Sequence, residues 1–306
     1  MDDAAVDSAA LPWRAAQART PLGLSFWLPL VWIVLVIFLA ATAPLWPLQA
    51  YDRIDWDHPA AAPGTVGLSA RPGIDGKPEA APYTYWLGTD TFGRDIAARL
   101  VFGARVSLMV GLIAPAIGFT VGGLLGLLAG FYRGRWETFV VALMDIILAF
   151  PALVLLLAVA LFWGSRLPVL ILTLALLSVP AFCRVARAGT LSWARRDFIV
   201  AARAIGASDW RIMFGHIAPN ILPATAAYGL LTVAVVIIAE GTLSFLGLSV
   251  APPTPSWGGM IAEGKEVLAE SPHVSFFPAV VMFLTVLSFN MLGDRIRELN
   301  DLKIYR

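Results

Sequence analysis

The chain has 306 residues, of which 58% are hydrophobic and only 14% charged, with a formal net charge of +1. A soluble domain carries roughly 25% charged residues, so composition points to a membrane, and the balanced charge gives no sign of a nucleic-acid partner. The single cysteine, Cys183, excludes an internal disulfide, and the three histidines stand far apart without a second ligand at metal spacing, so no metal site is expected.

A bilayer core of ~30 Å needs about 20 apolar residues in a helix. Stretches at or near that length without Asp, Glu, Lys or Arg occupy residues 20–51, 106–132, 146–165, 167–183, 212–239 and 271–293. They predict an all-α integral membrane protein with six transmembrane helices centred near residues 36, 118, 152, 175, 236 and 285. In chain order, residues 1–22 form a cytoplasmic tail and residues 23–48 the first span. A cleaved signal peptide is the alternative there, because Ala41-Thr42-Ala43 offers small residues; the length of the run and the acidic tail before it favour an uncleaved span.

Residues 49–104 form an extracytoplasmic loop, rich in Pro, Gly and Ala, that ends in an amphipathic segment. Its charges, Asp90, Arg94, Asp95, Arg99 and Arg105, suit either a salt-bridged collar at the outer surface or a solvated amphipathic helix. Residues 105–297 form a core of five further spans. The second span carries Gly111, Gly118, Gly122, Gly123, Gly126 and Gly130, which predicts close helix packing. The third span is expected to start near Thr138 and to take Asp145 into the membrane. The fifth is expected to begin only near Pro223, because Gly215, Pro219 and Pro223 interrupt its run. Asp145, Glu240 and Asn290 are then polar groups at membrane depth; such groups face a bundle interior or a wet cavity, and bonding between helices and contact with a ligand both stay open. The outer loop 250–275 starts Ala251-Pro252-Pro253-Thr254-Pro255, a rigid extended run. Residues 298–306 form a cytoplasmic tail. Arginines concentrate in the segments that lie inside when both termini are cytoplasmic, Arg184, Arg187, Arg195, Arg196, Arg203 and Arg211 among them.

The inner loop, residues 189–222, is basic and amphipathic. Ala201, Ala202, Arg203 and Ala204 favour helix. Gly206 breaks it, and Ala207 leads to Ser208, a good N-cap for a second helix whose positive end suits Asp209. Arg211 adds charge, and Pro219 and Pro223 are expected to close the segment. The small face of Ala201 and Ala202 permits a close approach by a partner. The same features suit an interfacial helix on anionic lipid. No G-x-x-x-x-G-K-[S/T] loop occurs, nor H-E-x-x-H, nor G-x-S-x-G. The chain has no recognisable means of gripping ATP phosphates and is not expected to be an enzyme.

The segment AARAIGASDWRIMFGHIAPNILP resembles the cytoplasmic "EAA" loop of ABC importer permeases, above all the dipeptide/oligopeptide branch. Ala201, Ala202 and Gly206 match the pattern; Val200 stands where that pattern has Glu. WLGTDTFGRDIAARLVFGARVSLMVG (residues 86–111), LSFLGLSVAPPTPSWGGMIAEG (243–264) and FLTVLSFNMLGDRIRELND near the C-terminus also resemble that branch, in its second, C-type permease. The likeness covers about residues 84–302. It implies a type I importer permease that makes half of a translocation pore for peptides or related small solutes in a bacterial inner membrane. The implied partners are a homologous second permease (B-type), two ABC ATPase subunits carrying ATP and Mg, and an extracytoplasmic solute-binding protein; no cofactor is implied on this chain. A stand-alone secondary transporter or channel is the rival reading. It calls for inverted repeats or paired broken helices, and no repeat is evident.

Overall fold

The structure is a computed structural model, described here for residues 23–72 and 78–304. The expectations for the tail at residues 1–22 lie outside these. The first helix, α1, spans Leu24–Thr42 and is apolar on nearly every side, as a lipid-facing helix must be. An antiparallel hairpin follows, β1 (Thr65–Pro72) paired with β2 (Pro78–Tyr85) in the register Thr65↔Tyr85. The outer loop is therefore partly folded.

Helix α2 begins at Ile96 with Asp95 as N-cap, its side chain accepting from Ala97 N at 2.9 Å. The second span thus starts nine residues before the loop was expected to end. Helix α2 (Ile96–Ile117) continues through a π turn, Gly118–Gly122, into α3 (Gly123–Tyr132). Two helices follow, α4 (Gly134–Ala149) and α5 (Ala152–Trp163), bent by 79° at Phe150-Pro151. The expected third span is this bent pair, not a straight rod, because Pro151 cannot continue α4. Helix α6 (Leu167–Trp193) packs along α2, the π turn and α3.

The glycines explain that fit. A Cβ on Gly122 or Gly126 would overlap the carbonyl oxygens of Val179 and Cys183, and one on Gly118 would lie 2.7 Å from Ser178 Cβ. Gly123 departs from the expectation: it points into open space, since a helix presents only one face to its neighbour.

The inner loop holds α7 (Asp197–Ala204) and a π segment, Arg211–Ile217, that runs straight into α8 (Ala218–Phe245). The fifth span does not wait for Pro223, and Pro219 and Pro223 do not close the loop. Pro219 stands at the junction of the π segment and α8, where the hydrogen-bond ladder changes register. Just before it, Ala218 N reaches back five residues to Met213 O. The chain then turns at Pro252-Pro253, a cis bond, instead of running extended. A short helix α9 (Trp257–Gly264) packs between α2, α8 and the last helix, α10 (His273–Ile304). Helix continues past residue 298, where a tail was expected. Among the described residues, five helices or helix runs are long and apolar enough to cross a membrane, or six if the bent pair counts as one span.

Candidate coupling, gating and pathway sites

Helix α7 ends in a left-handed turn. Gly206 has φ +84°; Gly206 N donates to Arg203 O at 3.1 Å and Ala207 N to Ala202 O at 3.0 Å. That pair of bonds satisfies two of the last helical carbonyls, and glycine adopts the required dihedral without strain. The second helix starts at Asp209, where Ser208 O accepts from Ile212 N at 3.0 Å. Ile199, Ile212 and Ile217 are buried beneath the loop with Leu127, Ala186 and Ile221, so the knob is fixed to the ends of α3 and α6. Arg203 lies 5.5 Å from the Phe131 ring centroid, and Asp197 and Arg203 suit the two ends of the α7 dipole.

The loop's outward face differs from the expected one. Ala202 is buried, so it anchors the knob; Ala201 and Ala204 are exposed. With them stand Val200, Ile205 and Trp210, exposed by 60%, 86% and 62%. Such an apolar cluster in a loop marks an interaction surface. Ile205 and Trp210 carry no motif signal and lie beyond the end of α7, so helix periodicity does not single them out. Asp209, Arg211 and Pro219 are exposed around the rim.

At the outer end, Asp90, Arg94 and Arg99 are salt-bridged, as one of the two expectations had it, but they are buried and not a solvated face. Arg94 Nε donates to Asp90 Oδ2 at 2.7 Å and its Nη2 to Glu263 Oε2 at 2.6 Å. Arg99 Nη2 also donates to Glu263 Oε2, at 2.9 Å, and Arg99 is 1% exposed. Glu263, which the sequence did not single out, ties α9 to the start of α2. Arg105 stands apart and bonds the carbonyls of Ala40 and Ala41 at the end of α1.

The hairpin is clamped to this end by two tyrosines. Tyr83 donates to Asp95 Oδ2 at 2.6 Å and Tyr85 to Asp55 Oδ2 at 2.9 Å. Burial, then the bond to Asp55, pushes the Tyr85 phenol up to about 12; burial and Asp95 push Tyr83 up as well. Burial raises the Asp95 carboxyl. Burial also acts upward on Asp55, but donation from Tyr85, Asp57 N–H and His58 outweighs it and holds Asp55 below the usual carboxylate range.

The three polar residues expected at membrane depth have three different fates. Glu240 is fully buried; its Oε1 accepts from Ser244 and Ser249, both at 2.8 Å, and its Oε2 from Ser107 at 3.3 Å. Trp257 N donates to Ser107 Oγ at 3.2 Å and Trp257 Nε1 to Leu100 O at 3.1 Å, so α2, α8 and α9 meet at one polar node. Asn290 donates to Val286 O of its own helix at 3.0 Å and, among the described residues, bonds no other helix. Asp145 accepts from Arg184 Nη2 at 2.8 Å, linking α4 to α6, with both side chains more than half exposed. Arg184 and Arg187, expected with an inner segment, lie on the C-terminal part of α6, Arg187 paired with Glu137.

The family described as binding-protein-dependent transport system inner membrane component matches residues 122–305. The chain belongs to that family. It is the permease subunit of an ABC importer. The glutathione transport system permease protein GsiD of Pectobacterium atrosepticum is 35% identical over 275 residues, 90% of this chain and 85% of that protein. The GsiD protein of an Escherichia coli strain is 40% identical over 220 residues, 72% of this chain and 73% of its own length. The permease also shares its fold with a chain from inward-facing conformations of the MetNI methionine ABC transporter, at a TM-score of 0.55 and 20% identity, covering 66% of this chain and 96% of that one. Family membership places the permease in an inner membrane and implies ATPase and permease partners.

Proposed function

We propose that this permease forms half of a pore for small peptide-like solutes, glutathione among them, and takes its energy from ATPases docked on residues 197–217. The observation that carries the reading is the exposed apolar face of Val200, Ala201, Ala204, Ile205 and Trp210 on a loop fixed rigidly to the spans. A helix resting on lipid needs no such anchoring, whereas a lever does: ATPase closure moves the knob, and the knob moves α3, α6 and α8. The solute class rests on the names of the GsiD relatives. A second permease, two ATPases carrying ATP and Mg, and an extracytoplasmic binding protein complete the assembly, and this chain itself holds no cofactor and performs no covalent chemistry. Both termini then lie in the cytoplasm.

This orientation is tested with cysteines at Ser208 and Thr254 in a Cys183→Ala background. In intact cells Thr254→Cys reacts with an impermeant thiol reagent, and Ser208→Cys reacts only after permeabilisation. Reaction of both from outside contradicts the orientation and removes the docking surface from the ATPase side.

A further inference from the structure

The Asp145–Arg184 pair is the anomaly of this molecule. Asp145 lies eleven residues into α4 and Arg184 nine residues from the inner end of α6. At 1.5 Å per residue that is roughly 14–17 Å from the inner helix ends; α6, at 27 residues, is roughly 40 Å long, so with that span centred on a ~30 Å hydrocarbon core both groups fall within its inner half. Yet the two side chains are 57% and 59% exposed. An ion pair left open at this depth is costly in hydrocarbon, and such pairs face water or protein instead. Glu137 and Arg187 form a second pair between the same two helices, nearer the inner end and 20% and 33% exposed. The span also breaks by 79° just beyond Asp145, and broken helices at membrane depth are tolerated where they line a cavity.

We infer that Asp145 and Arg184 line the solute pathway and form a binding station for a zwitterionic solute. Arg184 takes a carboxylate and Asp145 an ammonium, and the pair's own bond closes the station when it is empty. The guanidinium suits this role because it holds a carboxylate through two parallel N–H bonds. The solute chemistry deepens the reading of a peptide-like solute and rests on it; the claim that the pair faces water does not.

The test has two arms in the assembled importer. In the first, Cys183→Ala carries Asp145→Cys, Arg184→Cys or, as a lipid-facing control on α1, Val34→Cys. A charged methanethiosulfonate is excluded from hydrocarbon by several kcal/mol, so positions 145 and 184 are expected to react more than ~10-fold faster than position 34. Rates equal to the control's overturn the inference, as does disulfide or reagent chemistry showing both positions sealed against the second permease. In the second arm, Arg184→Gln and Asp145→Asn are expected to co-purify with the ATPases and keep basal ATP hydrolysis while losing most uptake of a zwitterionic dipeptide. The double swap Asp145→Arg with Arg184→Asp restores the bond but reverses its placement; it is expected to leave uptake impaired. Wild-type uptake by the swap means the pair only holds helices and overturns the station. Wild-type importer that moves no dipeptide, with rapid labelling at 145 and 184, strikes the solute class proposed above and leaves the wet pathway standing.

Discussion

Gly206 is the residue on which the proposed coupling turns. It holds φ +84° with nothing within 4 Å of a would-be Cβ, so the constraint is in the backbone, not in space. A β-branched residue there is forced into the left-handed region at a cost of roughly 1–2 kcal/mol or more. Gly206→Val is expected to insert normally but to retain little ATPase on affinity purification, whereas Gly206→Asn keeps most of it, because Asn tolerates that region. Equal retention by both variants would mean that the turn does not shape the dock. Ala202, by contrast, is buried, so a charge there unfolds the knob and says nothing about the partner. The Glu240 node shows the same distinction: a carboxylate satisfied by three serines is a fastener between α2, α8 and the outer loop, while Asp145 is open to its surroundings.

At the scale of elements, the glycine face of the second span sets how closely α3 lies on α6. Gly126→Val drives a side chain into the Cys183 carbonyl and the Ala186 methyl; overpacking of this kind costs typically 1–3 kcal/mol. Its melting temperature is expected to fall by several degrees, with Gly123→Ala unchanged as the control on the open face. A fall in both would show that the helix, not the contact, is at fault. The outer hairpin gives a pH dependence. The Tyr85 phenol is raised from an ordinary value of about 10 to about 12, so the folded clamp holds the proton more tightly than the unfolded chain. Its contribution is complete below pH ~10 and is lost as pH rises through 12. Proteolysis of the hairpin should therefore accelerate across that interval, and the acceleration should be smaller in Tyr85→Phe, which lacks the bond to Asp55 at every pH. An identical pH profile in the two proteins would remove the clamp.

For the whole molecule, spans were legible because lipid imposes one rule on every side chain it touches, and the helix–glycine–helix knob was legible because Gly206 and the small residues around it leave a local signature. What was not legible depends on contacts distant in sequence. For Arg99 a salt-bridged collar and a solvated face both stood open until Glu263, 164 residues away, was brought against it. Arg184 looked like the edge of an inner loop because its run of apolar residues stops there, but α6 continues to Trp193. Pro219 and Pro223 looked like terminators because local propensity forbids proline in helices, and a π segment with Pro219 at its junction with α8 relieved much of that objection. Which face of the knob is exposed followed from burial of Ile199 and Ala202 against α3 and α6, a tertiary fact.

We propose that this chain is a driven half-pore and not a transporter by itself. The most direct test is solute uptake by reconstituted liposomes. The purified chain alone, with ATP or with a proton or sodium gradient, is expected to accumulate nothing and to hydrolyse no ATP; addition of the second permease, the ATPases and the binding protein is expected to give ATP-dependent accumulation. Concentrative uptake by the chain alone, driven by either ion gradient, would show that it is a transporter by itself and not a driven half-pore.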